Sequence, residues 1–181
     1  MTAASAKYCL VSLARQAVEE YLVRGQVIRP PATARLARAA CFVCIKTLDG
    51  KLRGCMGTVE PSQPSLAEEV IANAINAATR DPRFAPVSVE ELLSLRFSVD
   101  ILSALEPTTL DGLDPRTYGL LVENESRTKR GLLLPAIEGV ETVEQQLAIV
   151  MHKAGLQGNE PFRLYRFTVQ RFREDERNGA P

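Results

Sequence analysis

The spacing of hydrophobic and polar positions along this chain changes several times, and each change marks an element. From about Ser5 to Arg24, Tyr8, Val11, Leu13, Val18, Tyr21 and Leu22 recur at roughly helical spacing, which predicts a helix stopped by Gly25. Arg29-Pro30-Pro31-Ala32-Thr33 reads as an ordered connector, and Ala34 to Ala40 is compatible with a short helical turn or an extended lead-in. Residues 41–47 and 51–59 read as two strands joined at Asp49-Gly50, a short-range hairpin signal. Beyond Pro61 and Pro64, Ser65 and Glu68 make a capping-box pattern that opens an alanine-rich helix from about Leu66 to Arg80. Small residues on its buried face would let that helix lie close to a sheet. Pro82 ends it, because proline cannot continue the helix and disfavours helical geometry at Asp81.

A short helix near Val89 to Leu93 and a strand from about Arg96 to Leu102 follow. The turn-rich connector from Glu106 to Pro115 is the best internal boundary, separating sub-lobes of about 1–106 and 107–181 within a single domain. Strands at Tyr118 to Glu123 and Gly131 to Ala136, a helix from about Val143 to Ala154 and a strand from about Phe162 to Phe172 complete the pattern. Glu174 to Pro181 reads as a frayed polar tail. At an offset of 77 residues, Arg53-Gly54 falls on Arg130-Gly131, Val43-Cys44-Ile45 on Leu120-Leu121-Val122, and Leu66 and Val70 on Val143 and Leu147. The shared order and spacing suggest a duplicated hairpin-helix-strand unit. The expected class is therefore α+β, with one curved, mainly antiparallel sheet and helices packed outside it.

Composition narrows the possible functions. With 181 residues and 45% hydrophobic content the chain can bury a real core. Twenty-two basic residues balance 22 acidic ones without a block of like charge, which argues against a nucleic-acid coat or a membrane-surface binder. No apolar run approaches the roughly 20 residues of a membrane span, and Met1 to Lys7 lacks a secretion pattern, so a cytoplasmic protein is expected. In that compartment Cys9, Cys41, Cys44 and Cys55 need no disulfides. Cys41 and Cys44 have C-x-x-C spacing, but residues three apart on a strand face opposite ways. No second such pair exists, and the only histidine, His152, is distant. Small buried hydrophobes are expected there, with no metal site.

The candidate chemistry lies in Leu52-Arg53-Gly54-Cys55-Met56-Gly57-Thr58, where two glycines bracket a cysteine within a strand. Glycine in a strand marks a bulge or a close approach by backbone or ligand. In the second copy the same positions are Leu132-Leu133-Leu134, so the two repeats differ at this stretch. Strand parity, absent a bulge, puts Arg53, Cys55 and Gly57 on one face and Leu52, Gly54 and Met56 on the other. Arg53 would then lie about 7 Å from Cys55, favour its thiolate and orient a carboxylate or phosphate.

Three functional readings follow. Arg53, Gly54 and Gly57, with Arg80, Asp81, Arg83 and Phe84 of the following turn, make a binding surface for a ligand or partner. Alternatively Cys55 is a catalytic nucleophile or redox thiol, with Asp81, Glu60 or Asp100 as acid or base, although no histidine is placed to activate it. The third reading is nucleic-acid binding through Arg163, Arg166, Arg171 and Arg173, for which Glu174, Asp175 and Glu176 are competing partners. Each residue also has a structural reading. Cys55 packs, Arg80, Asp81 and Arg83 staple a helix end, Arg53 pairs with Glu60, His152 sits on the surface, and Tyr118 packs at a strand start.

The strings LRGCMGT, NAATRDPRF and SVDILS resemble the signature of the AMMECR domain family, whose hexapeptide is typically LRGCIG. Met56 is a mild apolar departure from it, and Tyr118-Gly119 stands where many members have a histidine-glycine pair. The resemblance implies a duplicated α+β fold with a barrel-like sheet and places the hexapeptide near a groove. Because relatives are often encoded beside Memo-like and radical-SAM proteins, it also implies those proteins as partners. It implies no settled activity, and it leaves any cofactor unassigned.

Overall fold

The hairpin forms where the sequence turns sharply, and the rest of the first sheet grows from it. The structure, a computed structural model, describes residues 3–31, 36–157 and 160–174, with side chains in the first helix described from Leu10 onward. Tyr8's side chain, Ala32 to Arg35, and the tail with Asp175 and Glu176 therefore lie outside the described residues. Strands β1 (Cys41–Thr47) and β2 (Leu52–Gly57) are joined through Leu48-Asp49-Gly50, with Gly50 at φ 85°, a left-handed position that suits glycine. The Gly50 N–H donates to Thr47 O at 2.9 Å, and the Thr47 hydroxyl donates to the Asp49 carboxylate.

Helix α1 (Ala3–Arg24) ends at Gly25, φ 67°, whose N–H closes the last turn on Tyr21 O. Helix α2 (Leu66–Thr79) starts where Ser65 accepts the Glu68 N–H. Strand β3 (Leu95–Leu102) pairs antiparallel with β1, and the first sheet runs β2-β1-β3-β8, where β8 is Val169–Arg173. Helix α2 packs on β1 and β2, while α1 packs on β3 and α2. Alternation along β1 sends Cys41, Val43 and Ile45 into a core with Val18, Val70, Ala74, Phe97 and Val99, and leaves Phe42 and Cys44 half-buried on the other face. The two cysteines of the C-x-x-C thus face opposite ways, as expected. Burial pushes the Cys41 thiol up to about 12, with Asn73 donating to both its carbonyl and its sulfur.

The second unit has its own sheet, in the order β4-β7-β5-β6: β4 (Glu106–Pro107), β7 (Phe162–Phe167), β5 (Gly119–Asn124) and β6 (Arg130–Leu133). Helix α3 (Val143–Ala154) covers β5 and β6 and begins with a full Thr142–Gln145 capping box, which the sequence reading passed over. Leu120, Val122, Val150, Ala154 and Leu156 form its core.

The described strands make two four-stranded sheets where a single curved sheet was expected. The last strand, read as one piece to Phe172, breaks at Thr168 into β7 and β8. These belong to different sheets, so the first unit takes residues to Leu102 together with the segment from Gln170, and the second runs Ser103–Val169. Periodicity does not register such a break, because both halves alternate as strands and only pairing partners separate them.

The two hairpins have matching registers. Val43↔Met56, Cys44↔Cys55 and Ile45↔Gly54 in the first answer to Leu120↔Leu133, Leu121↔Leu132 and Val122↔Gly131 in the second. In both, a glycine meets a helix backbone: a Cβ on Gly54 would overlap the Ala77 carbonyl, and one on Gly131 would overlap the Val150 carbonyl.

Candidate functional site on the edge strand of the first unit

A one-residue bulge determines what the glycine-cysteine strand presents. Near the turn Lys46 pairs with Leu52, but one step further Ile45 pairs with Gly54, so Arg53 is the extra residue. Without it Cys44 would face Gly54 and Cys55 would face Val43. With it the two cysteines are directly opposite, and their sulfurs are joined in a disulfide. This corrects two expectations. No disulfide was foreseen, and Cys55, the candidate nucleophile, is bonded to Cys44 in place of carrying a free thiol. The bulge also changes the parity: Leu52 lies opposite exposed Lys46 and is itself exposed, while Gly54 faces α2 and Met56 packs on the core.

Arg53 does not serve the cysteine. Its guanidinium donates to Glu91 Oε1 at 2.8 Å and Oε2 at 3.0 Å, and to the carbonyls of Ala85 and Pro86 at 2.9 and 3.3 Å. Only 16% of the Arg53 side chain is exposed. Its partner is thus Glu91, where the sequence suggested Glu60, and that contact chiefly holds the Glu91 carboxyl below its usual range. Nothing local in the sequence signals the pairing, since the two residues are 38 positions apart. Arg53→Ala is expected to cost about 1–3 kcal/mol by leaving Glu91 and two carbonyls unpaired. It should also open residues 85–91 to protease, read by limited proteolysis and mass spectrometry.

Asp81 and Arg83 close the outer edge of β2. In a non-hydrogen-bonded antiparallel pair the N–H and C=O point away from the partner strand, and Cys55 has this geometry opposite Cys44. Its N–H donates to Asp81 Oδ2 at 2.8 Å, and its carbonyl accepts from Arg83 Nη2 at 3.3 Å. The Asp81 carboxylate, whose side chain is 2% exposed, also accepts from Arg83 Nη2 at 2.6 Å, Nε at 2.9 Å and the backbone N–H at 3.1 Å. Two side chains thus stand where a neighbouring strand would bond, one way proteins protect an edge. The Arg83 hydrogen bond, assisted by the Cys55 and Arg83 N–H groups and opposed by burial, lowers the Asp81 carboxyl to about 2.

The other predicted residues divide between this cluster and elsewhere. Arg83 lies 5.5 Å from the Phe84 ring centroid, so Phe84 joins the cluster. Gly57 is opposite Phe42, whose ring lies where a Gly57 Cβ would be. Arg80 closes α2 through its backbone N–H to Asn76 O, while its side chain is exposed and outside the Asp81 network. Asp100 takes Arg171 in a two-pronged pair at 2.7 and 2.8 Å and is not at Cys55. Arg166 is held by Glu106, by the Gly112 carbonyl and over the Tyr118 ring, and Glu174 takes Arg15. Arg163 and Arg173 are exposed, as is His152 on α3. Among the described residues no acidic, histidine or cysteine cluster could hold a metal, and no helix is long and apolar enough to cross a membrane.

The fold and this strand define a class: a small α+β protein in which the loop after α2 is clamped to a glycine-cysteine edge strand. The chain belongs to the AMMECR1 family, whose model matches residues 11–172. A protein of Thermotoga maritima is 47% identical over 169 residues, covering 90% of this chain and 96% of that protein. One from Clostridium acetobutylicum is 41% identical over 91% of this chain but 36% of its own length. Among solved structures, the uncharacterized protein PH0010 from Pyrococcus horikoshii is similar, with a TM-score of 0.84 and 34% identity over 92% of this chain and 90% of that one.

Proposed function

We propose that this chain is a binding module that works with Memo-like and radical-SAM proteins in the cytoplasm, and that its contact surface is the LRGCMG strand with the loop clamped against it. One observation carries the reading. Arg83 is fixed by Asp81, the Cys55 carbonyl and Phe84, yet 54% of its side chain is exposed. A guanidinium held in one orientation at the surface loses little entropy when it meets a carboxylate or carbonyl, so it suits recognition. Binding also requires no free thiol at Cys55. The nucleic-acid alternative is weakened because Arg166 and Arg171 are committed to Glu106 and Asp100.

We also read the chain as one AMMECR-type domain built from two copies of a hairpin-helix unit. The matching registers and the paired glycines support that reading, and the first copy alone developed the contact strand. The test is titration calorimetry with purified Memo-like and radical-SAM proteins from the same genome. Arg83→Ala and Phe84→Ala are each expected to weaken binding about tenfold, the size of a 1.4 kcal/mol contact. Phe84→Ala should melt near wild type, whereas Arg83→Ala also takes the counter-ion from buried Asp81 and should melt lower, so its binding is measured at a temperature where it is fully folded. No detectable association, or association indifferent to both substitutions, would sink the proposal.

A further inference from the structure

We infer that Cys44 and Cys55 form a thiol-disulfide exchange site that takes low-molecular-weight thiols of the glutathione class, with Cys55 as the sulfur attacked. The placement of the pair carries this, independently of any partner.

Both residues are half-buried on the face of the first sheet opposite its core, so solvent thiols reach a bond that core packing does not enclose. Both backbones are also held without the disulfide. Cys44 lies in β1, which pairs with β3 from Cys41↔Ile101 to Thr47↔Leu95, and Cys55 is held by Asp81 and Arg83. The bond closes a separation of only 11 residues inside a hairpin already ordered by its ladder, so opening it leaves the two sulfurs facing each other for reclosure. Cys41, the free cysteine of β1, faces the core and is fully buried, which keeps it out of the exchange.

The asymmetry between the sulfurs follows from topology. β2 has no strand beyond it while β1 lies between β2 and β3, so a thiolate arriving over the sheet face, past the Asp81–Arg83 clamp on the backbone edge, meets Cys55 first. The Arg83 guanidinium, shared with Asp81 but half exposed, stands at the Cys55 carbonyl beside that approach. A thiolate attacks Cys55 Sγ, the Cys44–Cys55 bond breaks, and its electron pair leaves on Cys44 Sγ, which takes a proton. A second thiolate attacks the mixed disulfide, forming the oxidised small-molecule disulfide and leaving Cys55 as the thiolate. Two electrons pass to the protein from two thiols, and the reverse sequence restores the bond.

The experiment equilibrates the folded protein with a series of reduced-to-oxidised glutathione ratios, traps free thiols with a brief pulse of excess N-ethylmaleimide at neutral pH while the protein is folded, and assigns the label by peptide mass. Cys44 and Cys55 should become labelled together and reversibly as the ratio rises, with Cys41 unlabelled and the circular dichroism spectrum unchanged. In oxidised glutathione, Cys44→Ser should accumulate a glutathione adduct on Cys55 about tenfold faster than Cys55→Ser does on Cys44, since access governs exchange rates. A pair that resists every ratio, that labels only as the spectrum is lost, or whose adduct forms preferentially on Cys44 overturns the inference. The wild-type titration decides even where a serine variant folds poorly. Because no partner protein is present, failure here leaves the binding proposal standing, and the reverse holds too.

Discussion

Gly54→Ala is expected to destabilise the first unit by about 3 kcal/mol, at the upper end for overpacking a core. The added Cβ would overlap the Ala77 carbonyl, which is backbone and part of α2, so no side-chain rotation relieves it. α2 would have to lift off β2 and give up packing by Ala74, Ala77 and Ala78, all buried. Gly50→Ala is the control: it sits at φ 85° with open space around its Cβ position, so it should cost only about 1 kcal/mol of backbone strain. Urea unfolding of both variants checks the ranking. If Gly54→Ala proves no worse than Gly50→Ala, close approach to α2 is not why a glycine stands there.

Asp81→Ala should cost about 2–3 kcal/mol, because it leaves the Cys55 N–H without an acceptor and Arg83 without its counter-ion. The exposure of Arg83 keeps the figure below that of a fully buried pair. The same carboxylate makes stability depend on pH. Its folded-state value of about 2 lies below the ordinary 3.8, so its contribution is complete above roughly pH 4 and is lost as pH falls from there through 2. Solvent around Arg83 reduces that contribution to about 1 kcal/mol. Asp81→Asn keeps an acceptor for Cys55 but cannot titrate. Urea midpoints of wild type should therefore drop more between pH 4 and pH 2 than those of Asp81→Asn, and equal drops would refute the assignment.

Both predictions rest on residues that stood out in the sequence, although the contacts behind them did not. Gly54 announced a close approach, and the alanines of α2 announced a helix able to make it. Arg80, Asp81 and Arg83 were read as a staple at a helix end; Asp81 and Arg83 form it without the Arg80 side chain, and their hold on Cys55 crosses 26 residues and shows in no local pattern. Arg53 was assigned to Cys55 by parity, and the bulge that Arg53 itself creates voids that argument. No partner was sought for Cys55 because a reducing compartment was expected, and an unbulged hairpin would in any case set Cys44 against Gly54. Gln146 was not singled out either. It is fully buried on α3, donates to the Tyr118 carbonyl and leaves its Oε1 without a partner.

Sequence alone settled what nearest neighbours settle. The capped start of α2, the turn at Leu48-Asp49-Gly50, the glycine ending α1 and the opposite facing of Cys41 and Cys44 all follow from the conformational preferences of a few adjacent residues. Tertiary structure decided the pairing. It placed one bulge so that Cys44 meets Cys55, sent β8 to β3 while β7 stayed with β5, and closed the β2 edge with side chains from the loop after α2. A strand's alternation looks the same in any sheet and survives a register slip everywhere except at the slip itself. Which partner it takes depends on packing among residues far apart in the chain.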